Sequence, residues 1–156
     1  MAKTTKKKKK SKAKKTPRPK GKPWYHNGLQ FECTGCGGCC TGEPGHVWVN
    51  SEEIDAMAEH VGVDREDFED RYTKKVGARR SLIEFSNGDC VFFDSEKRGC
   101  TVYDIRPQQY RTWPFWPINL SSPEEWVDIA VGCPGCNQGR LYTLEEIEEQ
   151  AGILDV

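Results

Sequence analysis

The stretch CTGCGGCC, residues 33–40, packs four cysteines and three glycines into eight positions. Sulfur and glycine at this density suit neither a helix nor a strand and point to a loop wrapped around something. Glycine supplies the left-handed backbone such a loop needs and leaves room for N–H groups to turn toward sulfur. Four occupants are open: a disulfide, a zinc ion, an iron–sulfur cluster or a reactive thiol.

Working outward, four more cysteines follow. Cys33, Cys36, Cys39 and Cys40 form C-x2-C-x2-C-C, Cys90 and Cys100 lie mid-chain, and Cys133 and Cys136 form C-P-G-C. Two residues between cysteines let a tight turn bring both sulfurs onto one metal at about 2.3 Å. Adjacent side chains diverge, so Cys39 and Cys40 read as serving two metals, or as one ligand and one packing group. A disulfide between them would be strained. Structural zinc takes cysteines in pairs, as at Cys133/Cys136. The run C-x2-C-x2-C matches the wrapping of three corners of a cubane cluster, whose further cysteine precedes proline, as Cys133 does. Iron–sulfur is favoured over zinc, with copper or a redox thiol as remaining options. The candidate ligands are Cys33, Cys36, Cys39, Cys40, Cys90, Cys100, Cys133 and Cys136.

Charge divides the chain. Twelve of the 23 Lys and Arg residues fall within residues 1–22 and none of the 24 acids does, so a strongly basic tail precedes an acidic body. The tail, residues 1–23, is expected to be disordered, because it has almost nothing apolar to bury. No apolar stretch follows its first lysines as a secretory signal requires, and no run of about 18 apolar residues suggests a membrane span. The expected setting is therefore a reducing cytoplasm, where clustered cysteines bind metal sooner than they form disulfides. A basic tail also allows nucleic-acid contact through phosphates. Without interleaved aromatics it offers no stacking readout, and a solubilising extension or an intramolecular partner for the acidic body is the plainer alternative.

Residues 24–156 read as one domain of α+β class: a small, irregular, cysteine-rich, metal-stapled fold with two helices near its start, a short antiparallel sheet and a C-terminal helix. Asn50 with Glu53 predicts a capped helix whose stripe is Ile54, Met57, Ala58 and Val61, ended by Gly62. Asp64 caps a second helix with Phe68 and Tyr72 inward. SLIEF and CVFF flank Asn87-Gly88 and read as a hairpin, with GCTVY and WVDIAV as further strands. The segment IRPQQYRTWPFWPINL reads as irregular chain packed on the core. Thr143 with Glu146 caps a final helix carrying Leu144, Ile147 and Ala151.

Other candidates are weaker. His46, six residues beyond Cys40, could complete a site, whereas His26 and His60 read as ordinary. Arg106 and Arg111 could donate to cluster sulfurs, hold an anionic substrate or pair with the body's acids. Trp113 to Pro117 reads as a core plug or water shield rather than a binding platform. No dinucleotide loop, P-loop, H-E-x-x-H or Ser-His-Asp order occurs, so whether the chain is an enzyme is open.

CTGCGGCC, followed by GDCVFFDSEKRGCTVYDIRPQQYRTWPFWP and GCPG, resembles the CxxCxxCC cysteine-cluster family (YkgJ-type) from about Phe31 to Gly139. The resemblance extends to part of flagellin lysine N-methylase. It implies zinc or iron chelation, with Cys33, Cys36, Cys39, Cys40, Cys90, Cys100 and Cys133 at family positions. It also implies, as an alternative, a methyltransferase acting on a flagellin-like protein. Tyr110 stands where the family carries a cysteine and Trp113 where it carries Phe. Cys136 could take the place of the missing thiol.

Overall fold

The computed structural model describes residues 21–153. The basic tail expected at residues 1–23 therefore lies, up to residue 20, outside the described residues. The rest is a mixed α and β fold of five helices and seven short strands, gathered around two apolar cores.

The first core is built by helices whose starts are written in the sequence. In α1 (Ser51–Val61) the Asn50 side chain accepts from Glu53 N–H while the Glu53 carboxylate accepts from Asn50 N–H, both at 2.9 Å. This reciprocal capping satisfies two otherwise orphaned donors. Gly62 closes the helix in the left-handed region, and Ile54, Met57 and Ala58 are buried. Asp64 caps α2 (Arg65–Tyr72), whose Phe68 is fully buried against the Tyr72 and Phe92 rings. These helices pack with an antiparallel sheet in the order β2 (Val47–Val49), β4 (Arg79–Leu82), β3 (Thr73–Val76).

The hairpin in this region differs from expectation. β3 and β4 turn at Gly77-Ala78, with Val76 opposite Arg79. The turn at Asn87-Gly88 is present, but it closes only a single bridge between Glu84 and Cys90. The Lys and Arg residues of KKVGARR hid the true strands. Charged side chains suit the open edge that β3 presents, and they leave no apolar alternation to read. GCTVY likewise supplies only β6 (Gly99–Cys100), which pairs with β5 (Phe93–Asp94) before the chain enters a 3-10 turn at Tyr103–Ile105.

WVDIAV is not a strand; it lies within α4 (Pro123–Gly132). Ser122 accepts from Glu125 N–H, Pro123 occupies the first helical position, and Glu124 and Glu125 complement the helix dipole. With the helix started there, Trp126, Ile129 and Ala130 fall on one face and pack into the second core, while Val127 and Val131 face outward. The short α3 (Gln108–Arg111) interrupts the Pro-rich segment, and Pro114 and Phe115 beyond it are fully buried, which makes this stretch a core plug.

The second core is closed by a long-range pairing of β1 (Leu29–Phe31) with β7 (Arg140–Tyr142). Phe115 stacks on Trp126, and Ile147 of α5 (Leu144–Ile153) is fully buried beneath them. Thr143 and Glu146 cap α5 reciprocally, as the sequence predicts. Among the described residues no helix is long and apolar enough to cross a membrane.

Candidate metal centre

The thiols collect where the two cores meet. The first loop is shaped by glycine: Gly35 and Gly37 have φ of 67° and 74°, and Gly37 starts a single 3-10 turn over Gly38–Cys40. Gly38 N–H points at Cys36 Sγ at 3.4 Å. Cys90 N–H donates to Cys40 O at 2.8 Å, fastening the loop to the first core. The β5–β6 pair carries Cys100 to the same place. Cys133 arrives from the C-terminal end of α4, its N–H donating to Ile129 O.

Six thiols, those of Cys33, Cys36, Cys39, Cys40, Cys100 and Cys133, border one cavity of about 240 Å³, with Phe31, Tyr103, Trp113 and Ile129 as its other main walls. Cys90 is buried to one side. It borders a neighbouring hollow of about 250 Å³, shared with Cys39, Cys40, His46, Glu84 and Tyr110. Cys39 and Cys40 thus belong to both spaces. Cys136 borders neither of them: it is buried in the second core, paired across to Phe31. His46 is in the side hollow with its ring tilted against that of Trp48, His26 bonds Pro23 O, and His60 is exposed on α1.

Protonation divides the thiols. Cys39 and Cys100 are each drawn down to about 7, chiefly because Cys40 hydrogen-bonds both, with the Arg106 charge contributing. Cys40 is pushed up correspondingly, since its proton serves the two neighbours. Burial raises Cys90 to about 11 and Cys136 to about 12. Thiolates, not thiols, bind metal, so the open edge of the cluster is chemically readier than its buried flank. Tyr110 is half-buried, bordering the side hollow with Cys90, and desolvation pushes its hydroxyl well up.

Two aromatic partners were not legible as site residues. Trp113 Nε1–H donates to Cys133 Sγ at 3.4 Å, and Tyr103 borders the cavity together with Cys33. Trp113 stood out in the sequence only as part of an aromatic plug; Tyr103 carried no signal. The donor set suits a thiophilic metal: soft sulfurs on glycine-bearing loops, with N–H groups directed at two of them. Among the described residues, no three His, Cys, Asp or Glu side chains are yet drawn close enough to hold an ion.

Among curated proteins the chain is similar to the uncharacterized protein MJ0661 of Methanocaldococcus jannaschii, 24% identical over 91 residues. That match covers 58% of this chain and 48% of the relative, so the chain spans about half the length of the curated relative it matches. No solved structure matches the chain. The model of the CxxCxxCC family, whose description reads "Putative zinc- or iron-chelating domain", matches residues 32–134, from the first thiol loop through Cys133. That span is more than half of the sequence, and the chain belongs to the CxxCxxCC family.

Proposed function

We propose that the protein binds an iron–sulfur cluster through thiolates of the central cavity, and that the cluster staples its two cores together. The observation that carries this is the convergence of six thiols from three separate chain segments on one cavity of about 240 Å³. Such a space with more than four sulfurs is ampler than a single tetrahedral ion requires. Cys33, Cys36 and Cys39 supply the C-x2-C-x2-C run, and Cys133, before Pro134, supplies the fourth ligand from the far core. When bound, the cluster would supply electron transfer or Lewis acidity. The chain itself contributes N–H donors to sulfur from Gly38 and Trp113, and a largely apolar wall that limits water.

A zinc site is the second reading, and one distance favours it. Cys39 and Cys40 Sγ stand 3.9 Å apart, close to the roughly 3.8 Å between sulfurs that share a tetrahedral zinc with bonds of about 2.3 Å. The described structure adds support to neither the lysine N-methylase reading nor the nucleic-acid reading, and neither is proposed. Anaerobic purification followed by metal and acid-labile sulfide analysis decides between the metals. Iron with matching sulfide supports the cluster, stoichiometric zinc without sulfide supports the alternative, and a folded protein that retains neither after reconstitution would refute both.

A further inference from the structure

Four of the cavity's thiols also border a further cleft, of about 360 Å³, whose lining carries three arginines against a single carboxylate, Glu32. Cys33, Cys39, Cys40 and Cys100 form one side, and Arg106, Arg111 and Arg140 stand among the remaining lining residues. The body of the protein is strongly acidic, so three guanidinium groups around one cleft go against its overall charge. Their partners differ. Arg140 pairs with Glu146 and lies over the Tyr142 ring. Arg111 is 3.7 Å from the Glu53 carboxylate, a loose contact, because Glu53 is already committed to Asn50 N–H and Gln108 N–H. Arg106 has no carboxylate within ion-pair range among the described residues. It is half-buried, lies 3.8 Å from the Tyr103 ring centroid and spends one N–H on Tyr103 O.

A guanidinium that is half-buried, stacked and without a carboxylate partner is set up to receive an anion from solution, in the planar bidentate manner carboxylates and phosphates allow. We propose that this cleft binds a small organic anion, a carboxylate or a phosphate ester, held at its charged end by Arg106 and Arg111. Its other end faces the sulfurs of Cys39 and Cys100. The cleft volume lies in the range of small-molecule sites. This names a ligand class for the proposed metal centre and rests on that reading only for what the far end of the ligand meets; the anion contact itself needs no metal.

The test is calorimetric titration of the full-length protein, metal-loaded and metal-free, with malate and, separately, glycerol 3-phosphate at constant ionic strength in chloride. We expect saturable one-to-one binding of one of the two anions, which identifies the head group, weakened at least tenfold by Arg106→Gln and by Arg111→Gln. Arg71→Gln, outside the cleft, should leave it unchanged. Tighter binding to the loaded form would place the far end at the metal. Binding that depends on Arg106 in a protein that retains no metal supports the anion site while removing the metal reading. Metal retention with no saturable binding of either anion overturns the anion site alone, as does binding indifferent to both arginine substitutions. Circular dichroism of each variant separates lost binding from lost fold, and Arg106→Lys, which keeps the charge without the fork, should bind with intermediate strength.

Discussion

The indole of Trp113 donates its N–H to Cys133 Sγ across 3.4 Å, joining the buried Pro-rich plug to the thiol that ends α4. A hydrogen bond to a thiolate lowers its charge density and holds its orientation, and such partners tune affinity and potential. Trp113→Phe removes the N–H and keeps an aromatic plug, so folding should survive. Metal loss to a competing chelator should become about tenfold faster, at the low end of the range for such partners. Chelator competition followed by absorbance checks this; an unchanged rate would mean the contact does not act on the bound metal.

Gly37 carries a second prediction. Its φ of 74° is left-handed, and a Cβ there would come 2.5 Å from Phe93 Cε2. Gly37→Ala therefore combines backbone strain with a clash against Phe93 of β5, the strand paired with the one that carries Cys100. A destabilisation of roughly 1–3 kcal/mol is expected, together with lower metal occupancy. The neighbouring Gly35 also has positive φ but open space around it, so Gly35→Ala should cost less. Urea unfolding of the two variants side by side measures the difference.

The sequence showed the caps and hid the pairings. Asn50 with Glu53, Asp64, and Thr143 with Glu146 each announce a helix start by local chemistry, and each is a helix start in the fold. The start of α4 was equally legible in Ser122-Pro123-Glu124-Glu125. It was overlooked because WVDIAV, residues 126–131, reads as a mostly apolar strand, although Val127 and Val131 both face solvent. β1 with β7 could not be read locally, since what aligns Leu29 with Tyr142 is packing around Phe115 and Ile147. The same limit applies to the thiols. C-P-G-C spacing treats Cys133 and Cys136 alike, yet the turn at Gly135 approaches the Glu32 backbone too closely for any Cβ and carries Cys136 into the core.

That separation gives a third prediction. Cys133 borders the six-thiol cavity, whereas Cys136 is 7% exposed and its thiol is raised to about 12 by burial. Cys133→Ser should abolish stoichiometric metal retention. Cys136→Ala should leave the metal-to-protein ratio intact and lower stability by about 1–2 kcal/mol, as expected for a small buried apolar group. Metal analysis of the two proteins, purified identically, decides; equal loss from both would bring Cys136 into the ligand set.

The last prediction concerns acid. The Glu146 carboxyl is held below its ordinary value of 4.5, first by the Thr143 N–H and then by the Arg140 side chain. A carboxyl lowered in the folded state binds its proton more readily in the unfolded chain. Its contribution to stability is therefore complete above about pH 4.5 and is lost as the pH falls through the folded value. Glutamine at this position can still accept from Thr143 N–H but does not titrate in this range. The gap in thermal midpoint between wild type and Glu146→Gln should thus be largest near neutral pH and narrow on acidification below pH 4.5. Comparing the two proteins at each pH removes the shared effect of acid on the thiols. A gap that stays constant from pH 6 to pH 3 would show that the N-terminus of α5 draws on the shape of the Glu146 side chain alone and not on its charge.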